Sequence, residues 1–434
     1  MSQAGTIGER AVGRVKWHLV PLLFVLYIIN WMDRVNLGYA ALTMNKELAI
    51  SSAALGALGA SFFISYFIFE VPSNMLLNRY GARKWLARIM VSWGIVTILT
   101  GFAQNYWHVY IARFLLGMME AGFFPGVVFY ISLWIPQKQR ARVIAAFMLA
   151  LPASNIIAAP ASTWILDNIH YFGLSGWRWL FVLEGLPAVL FGVITFFYLT
   201  DRPSEAKWLT EGERNWLVNE IKKEDEAKEG ARHVRLKDMF SNMRTWRLGI
   251  IYLFLGMVGA GLPLWLPTIV KEFSKVSNTS VGLLLLIPYV VSAIAMVFWG
   301  WHSDKKMERK YHAAIAIVCG AVGLFMAATV PNVTLEMIGV VVAVTGYTAL
   351  LPPFWSIPGL YLAGASAAVG YAIINSCLSL GAFMAGYISG YLRGIGNGAV
   401  LSYFGICYVI ALALLLTLSL KQAGKLSFKG KRGS

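Results

Sequence analysis

Asn74-Met75-Leu76-Leu77-Asn78-Arg79-Tyr80-Gly81-Ala82-Arg83-Lys84 and Gly300-Trp301-His302-Ser303-Asp304-Lys305-Lys306, the latter followed by Glu308-Arg309-Lys310, are two polar stretches that echo one another. Each follows the second long apolar run of its own half of the chain, which marks a duplicated unit. Outward from the first echo, apolar runs lie near 17–38, 54–77, 85–103, 107–133, 142–165 and 178–199. Around the second they lie near 247–270, 281–301, 312–330, 335–360, 367–391 and 399–420. A helix of roughly 20 residues crosses a hydrocarbon layer of about 30 Å. Short alternating strands, the mark of a membrane barrel, are not the pattern here. The expectation is an all-α membrane protein with 12 transmembrane helices in two pseudo-symmetric six-helix bundles.

Composition agrees with that reading. Hydrophobic residues make up 58% of the 434 positions and charged residues 13%, against roughly 45–50% and about 25% in soluble domains. The formal net charge of +16 invites a polyanionic partner. Its distribution argues for topology instead: with the N-terminus placed in the cytoplasm, 30 of the 37 Lys and Arg residues fall in inner loops or in the terminal segments. That is the positive-inside pattern, and it excludes nucleic acid as the expected partner. Membrane lipid is the expected surrounding, and both termini are expected to be cytoplasmic. The first apolar run has no small-residue cleavage site and reads as a retained span. Cys319, Cys377 and Cys407 all fall within predicted spans, so no disulfide framework is implied.

The longest polar interval, from Asp201 to about Arg244, separates six spans from six. It divides the chain into an N-terminal bundle (1–199), a cytoplasmic linker (200–245), and a C-terminal bundle with a basic tail (246–434). Within the linker, 204–225 reads as an amphipathic surface helix, with Thr210 and Glu213 spaced as a capping box and Trp208, Leu209, Trp216, Leu217 and Ile221 on one apolar side.

The echoing stretches resemble the inner-loop signature of the major facilitator superfamily, G-x-L-x-D-R-x-G-R-[RK]. The first copy has Asn74 in place of the glycine and Asn78 in place of the aspartate; the second keeps Gly300 and Asp304. Further strings are similar to the anion:cation symporter branch of that superfamily, which includes bacterial permeases for tartrate, sugar acids, phthalate and hydroxyphenylacetate. They are Asp33-Arg34-Val35-Asn36, Glu70-Val71-Pro72-Ser73-Asn74, the interval from Arg113 to Gly122, Trp177-Arg178-Trp179-Leu180-Phe181 with Glu184-Gly185, and Asp201-Arg202-Pro203.

Ionisable residues inside spans are costly and by default functional. Asp33, Arg34, Glu70, Arg113, Glu120 and Glu184 are of this kind, and all lie in the first six spans. Asp33 and Arg34 lie past the middle of the first span, Arg113 about two turns into the fourth, and Glu120 seven residues later on nearly the same helical face. Asp33 and Arg34 thus match Arg113 in depth, with Glu120 two turns further along the same stripe, and four groups of opposite sign facing one cavity can exchange partners, Asp33 near Arg113 and Arg34 near Glu120 or a substrate carboxylate. The fork of an arginine matches a carboxylate, which makes Arg34 the natural anion anchor. The resemblance implies the same assignment, with Arg34 binding substrate, Asp33 and Glu120 carrying protons, and Arg113 tuning Glu120. It also adds Tyr66 on the second span and Asn375 on the eleventh as substrate contacts. Leu151 stands where some members of the branch carry a glutamine. Glu70 reads as a structural partner of loop backbone, and Glu184, in Glu184-Gly185-Leu186-Pro187, as a helix-packing element.

No HExxH, P-loop, CxxC or G-x-S-x-G pattern occurs, and the six histidines are scattered. Neither catalysis, a metal, a cofactor nor ATP-driven pumping is expected. The expected function is secondary active transport: proton-coupled symport of a small organic anion, such as tartrate, a sugar acid or an aromatic acid, by a functional monomer in a bacterial inner membrane. A proton-coupled drug or metabolite antiporter and a passive facilitator are the alternatives. Against the antiporter, Ala158-Ala159-Pro160-Ala161-Ser162 lacks the glycines of the antiporters' fifth-span motif.

Overall fold

The computed structural model describes residues 3–229, 243–360 and 365–418. Helices dominate and no strand occurs among these residues. In chain order they are α1 (Gln3–Glu47), α2 (Ser52–Tyr80), α3 (Ala82–Thr100), α4 (Tyr106–Glu120), α5 (Phe123–Trp134), α6 (Gln137–Met148), α7 (Ala150–Asn168), α8 (Gly176–Tyr198) and α9 (Glu211–Glu229). They continue as α10 (Met243–Ser274), α11 (Asn278–Lys306), α12 (Lys310–Thr329), α13 (Val333–Ser356), α14 (Ala365–Arg393) and α15 (Asn397–Leu416).

Among the described residues, 11 helical segments are long and apolar enough to cross a membrane, with α4–α5 and α6–α7 each counting as one. The remaining expected span is α3, whose first two turns carry Arg83, Lys84 and Arg88. Large apolar side chains point outward, as with Ile68, Val71 and Met75 on α2 and Ile294, Val297 and Phe298 on α11. Charges such as Asp33, Arg113 and Glu120 are buried instead. That inversion is the arrangement a hydrocarbon solvent favours.

Two compact units form: the described residues of Met1–Gly230 with Leu266–Leu286, and those of Ala231–Trp265 with Ile287–Ser434. The tip of the α10–α11 hairpin thus groups with the first unit. There Asp167, near the end of α7, accepts hydrogen bonds from Asn278 Nδ2 (2.7 Å), Thr279 N (2.7 Å) and Thr279 Oγ1 (2.8 Å). This carboxylate satisfies amide and hydroxyl donors at the start of α11, where helical N–H groups have no partner of their own.

Gly81 separates α2 from α3 at φ +88°, a left-handed conformation that strains any residue with a Cβ. A Cβ there would come within 2.8 Å of Asp201 Oδ1. That closeness is functional for the loop: Asp201 accepts from the Arg83 backbone amide (2.8 Å) and its Oδ2 lies 3.7 Å from Arg83 Nε. Asn78 instead donates to Asn74 O (3.2 Å). The carboxylate missing from the first loop is therefore supplied by the residue that follows the sixth span. In the second loop Asp304 pairs with Arg309 at 2.5 Å.

The linker helix α9 begins at Glu211, later than the 204 expected, because Pro203–Glu205 forms a separate 3-10 turn. The Glu213 carboxylate accepts from Thr210 N (3.0 Å) and Thr210 Oγ1 (2.8 Å) and pairs with Arg14 at 2.9 Å. Burial opposes its ionisation, yet these donors and the nearby guanidinium hold the Glu213 carboxyl below its ordinary value. Leu209 and Leu217 are buried, and Trp208 stacks on both Trp134 (5.4 Å) and His18 (4.1 Å). The helix is thus stapled to α1 and α5. Linker residues 230–242 lie outside the described residues, as do 419–434 of the tail.

Candidate functional site

The site is built in the first unit, where α1, α2, α3 and α4 bring their polar side chains inward. Gly117 makes this possible. A Cβ at that position of α4 would run into the Phe62 carbonyl and the Ser65 hydroxyl of α2, so the glycine lets the two backbones touch. Contact at that level puts Phe62 and Tyr66 under the arginines. The Arg34 Cζ lies 4.9 Å from the Tyr66 ring centroid, 5.6 Å from Phe62 and 5.8 Å from Trp31; the Arg113 Cζ lies 5.0 Å from the same Phe62 ring. Ring faces of this kind attract a guanidinium that has left water.

Arg34 Nε donates to Glu120 Oε1 in a close ion pair. Glu120 is fully buried, whereas the Arg34 side chain keeps 16% of its surface exposed. Arg34 is therefore the less enclosed member of the pair. Several of the strongest hydrogen-bonding atoms here have no partner: Arg34 Nη2, Arg113 Nε and Nη1, Glu120 Oε2, and both amide atoms of Asn30, which neighbours the Glu120 carboxyl. Two guanidinium groups thus hold N–H donors that no acceptor among the described residues takes up.

Asp33 points to a different set of partners. Its Oδ2 accepts from Thr97 Oγ1 and its Oδ1 from Asn36 Nδ2, both at 2.7 Å. It feels the charge of Arg113 but does not pair with it, because the Arg113 guanidinium is laid against Phe62. Of the two neighbourhoods expected from sequence, Arg34 with Glu120 is an ion pair, and Asp33 with Arg113 is an approach within electrostatic reach without an ion pair.

Asp33, Arg34, Tyr66, Arg113 and Glu120 are thus brought together in one unit. Asn375 is on α14 in the second unit, half-buried. Sequence reasoning gave no role to Asn30, Phe62 or Thr97, or to Trp31 and Asn155, whose side chains bond at 3.2 Å. The asparagines had a visible signal, since Asn30 and Asn36 stand three residues either side of Asp33 in an apolar run. Thr97 had none, because an isolated threonine is ordinary in a membrane helix. Asn155 lies one helical turn from Leu151 on α7, so a polar group is present on the fifth span, a turn away from Leu151.

Residues 23–386 match the family model of the Major Facilitator Superfamily. The chain belongs to this superfamily. It is a multi-pass membrane transporter and not an enzyme. Among similar proteins is one from Agrobacterium vitis described as "Putative tartrate transporter", 40% identical over 413 residues that cover 95% of each chain. A quinolone resistance transporter of Acinetobacter baumannii is 37% identical over 404 residues, covering 93% of each. Among solved structures, that of a D-xylose-proton symporter superposes with a TM-score of 0.76 at 16% identity, covering 94% of this chain and 99% of that one. The structural likeness establishes the major facilitator fold.

Proposed function

We propose that this transporter carries a small carboxylate together with protons, alternating access between the bundles 1–199 and 246–434. The observation that carries the reading is a pair of guanidinium groups whose N–H donors are unmatched among the described residues: Arg34, the less enclosed of the two, with its buried Nη2, beside the buried Arg113 with Nε and Nη1. An anion with planar oxygens is the ligand such donors are shaped for.

Coupling follows from the Arg34–Glu120 pair. When a substrate carboxylate takes Arg34, Glu120 loses its cation in a dry interior. An unpaired buried carboxylate is expensive, so it takes up a proton. Release of substrate returns Arg34 to Glu120 and expels the proton. Asp33, anchored through Thr97 and Asn36, is the second proton site, and Arg113 sets the field around both. Tyr66 holds the Arg34 plane from below, and Asn375 contributes a substrate contact from the other bundle. The 40% identity to a protein described as a tartrate carrier supports a hydroxylated dicarboxylate as the substrate class. The protein works as a monomer in a bacterial inner membrane, with both termini in the cytoplasm.

The similarity to a quinolone resistance transporter favours a second reading, proton-coupled drug export. Proteoliposomes with an imposed inward proton gradient separate the two. Labelled L-tartrate accumulating against its own gradient supports symport. Fluoroquinolone movement in exchange for protons, with no carboxylate uptake, overturns it in favour of export.

A further inference from the structure

Glu184 is a buried carboxyl that the cycle above leaves unused. It sits on α8, 7% exposed, and no described residue forms an ion pair with it. Its Oε1 accepts from Ser162 Oγ of α7 at 2.6 Å, and its Oε2 has no hydrogen-bond partner. Asn36 of α1, whose Nδ2 donates to Asp33 Oδ1 at 2.7 Å, also neighbours Glu184, and the Asn36 Oδ1 has no partner either. One carboxamide thus binds Asp33 and neighbours Glu184, and two acceptor oxygens in this cluster, Asn36 Oδ1 and Glu184 Oε2, are without a donor among the described residues.

The charges on the elements packed around Glu184 do not relieve this. From α1 the facing group is Asp33, of the same sign. On α3, Thr97 is bound to Asp33, while Arg83 pairs with Asp201 and Arg88 lies over Trp85 at the far end. On α7, Asp167 is committed to Asn278 and Thr279. On α8 itself, Arg178 is bound to Glu47 and to the Gly101 and Ala103 carbonyls. A carboxylate with only neutral donors and a like charge beside it is disfavoured, and a carboxylic acid O–H supplies the missing donor.

We propose that Glu184 is a further proton-binding site of the transport cycle, linked through Asn36 to Asp33, holding its proton while the site is sealed and releasing it when water reaches the pair. The step is a simple ionisation: the O–H bond of Glu184 breaks, water takes the proton, and the carboxylate is held by Ser162 and Asn36 until it is reprotonated from the other side. This rests on the proton-coupled reading above and adds to it one more transported proton.

The test is the number of protons moved per substrate, measured in proteoliposomes by balancing an L-tartrate gradient against a proton gradient. Glu184→Gln keeps an acceptor for Ser162 and adds a donor for Asn36, so it stands in for the protonated acid. The expected result is one proton fewer per tartrate than in the wild type; an equal number overturns the proposal while leaving the Arg34–Glu120 coupling intact. A wild type that moves tartrate without protons sinks the underlying reading and this inference with it. Should Glu184→Gln fail to fold, Ser162→Ala removes the donor to Oε1, and the pH midpoint of tartrate uptake is expected to move alkaline. An unmoved midpoint then overturns the proposal.

Discussion

Replacing Arg34 by lysine keeps the charge and removes the plane, which makes it the sharpest probe of how the anion is held. In the structure Arg34 spends Nε on Glu120, leaves Nη2 free, and lies 4.9 Å from the Tyr66 ring. As it leaves Glu120, a guanidinium can meet a planar substrate carboxylate with two parallel N–H groups of one rigid fork. A lysine ammonium offers a single nitrogen on a flexible stem and cannot form that two-bond contact. The variant therefore loses one charge-assisted hydrogen bond to the substrate, worth about 1.5–3 kcal/mol. At about 1.4 kcal/mol per tenfold, that is roughly a 10- to 100-fold weaker apparent affinity. Loss of the guanidinium's stacking on Tyr66 adds to this in the same direction. The assay is tartrate counterflow in proteoliposomes across a range of concentrations, with size-exclusion behaviour in detergent confirming that the variant folds. A half-saturation concentration equal to the wild type's would refute the fork as the anchor and reduce Arg34 to a point charge.

Other consequences follow from the same contacts. Glu120→Gln removes the proton site but keeps the shape, so tartrate exchange between equal pools is expected to persist while accumulation driven by a proton gradient fails; preserved accumulation excludes Glu120 from coupling. Gly81→Ala forces a Cβ into a left-handed position 2.8 Å from Asp201 Oδ1, which is expected to cost about 1–3 kcal/mol and to lower the thermal midpoint in detergent. An unchanged midpoint contradicts the account of that loop. The Glu213 carboxyl is held below its ordinary value, so its contribution to docking α9 is present above the unfolded carboxyl's range and is lost as pH falls through the folded value. Limited proteolysis of the linker is expected to accelerate in acid for the wild type and to be fast at all pH values in Glu213→Gln; equal rates in the two proteins at neutral pH contradict that role.

Much of the fold was readable because a membrane simplifies the code. Apolar runs long enough to cross hydrocarbon, separated by basic loops, leave few options for the backbone, and the echo around Gly81 and Gly300 declared the duplication. The Arg34–Glu120 pair was readable only in part: helix rise set Arg34 level with Arg113 and put Glu120 two turns further along the same stripe, so opposite charge rather than depth named the partner. Lateral packing was not encoded so openly. Nothing in the sequence said that Gly117 would let α2 close onto α4 and set Phe62 against the Arg113 guanidinium. Nor did the loop signature show that Asp201, 118 residues from Arg83, would replace the carboxylate absent at Asn78. Glu184 read as a packing residue because its neighbours Ser162 and Asn36 come from other helices, and only their convergence exposes the unfilled acceptor atoms.

The central claim is that binding an anion at Arg34 frees Glu120 to take a proton, and proton release or uptake by the purified protein tests it without any gradient. In weakly buffered detergent solution with a pH-indicator dye, adding neutralised L-tartrate to the wild type is expected to draw protons from the medium, and the uptake is expected to shrink in Glu120→Gln while binding persists. Saturable tartrate binding with no change in free proton concentration at any pH would contradict the account.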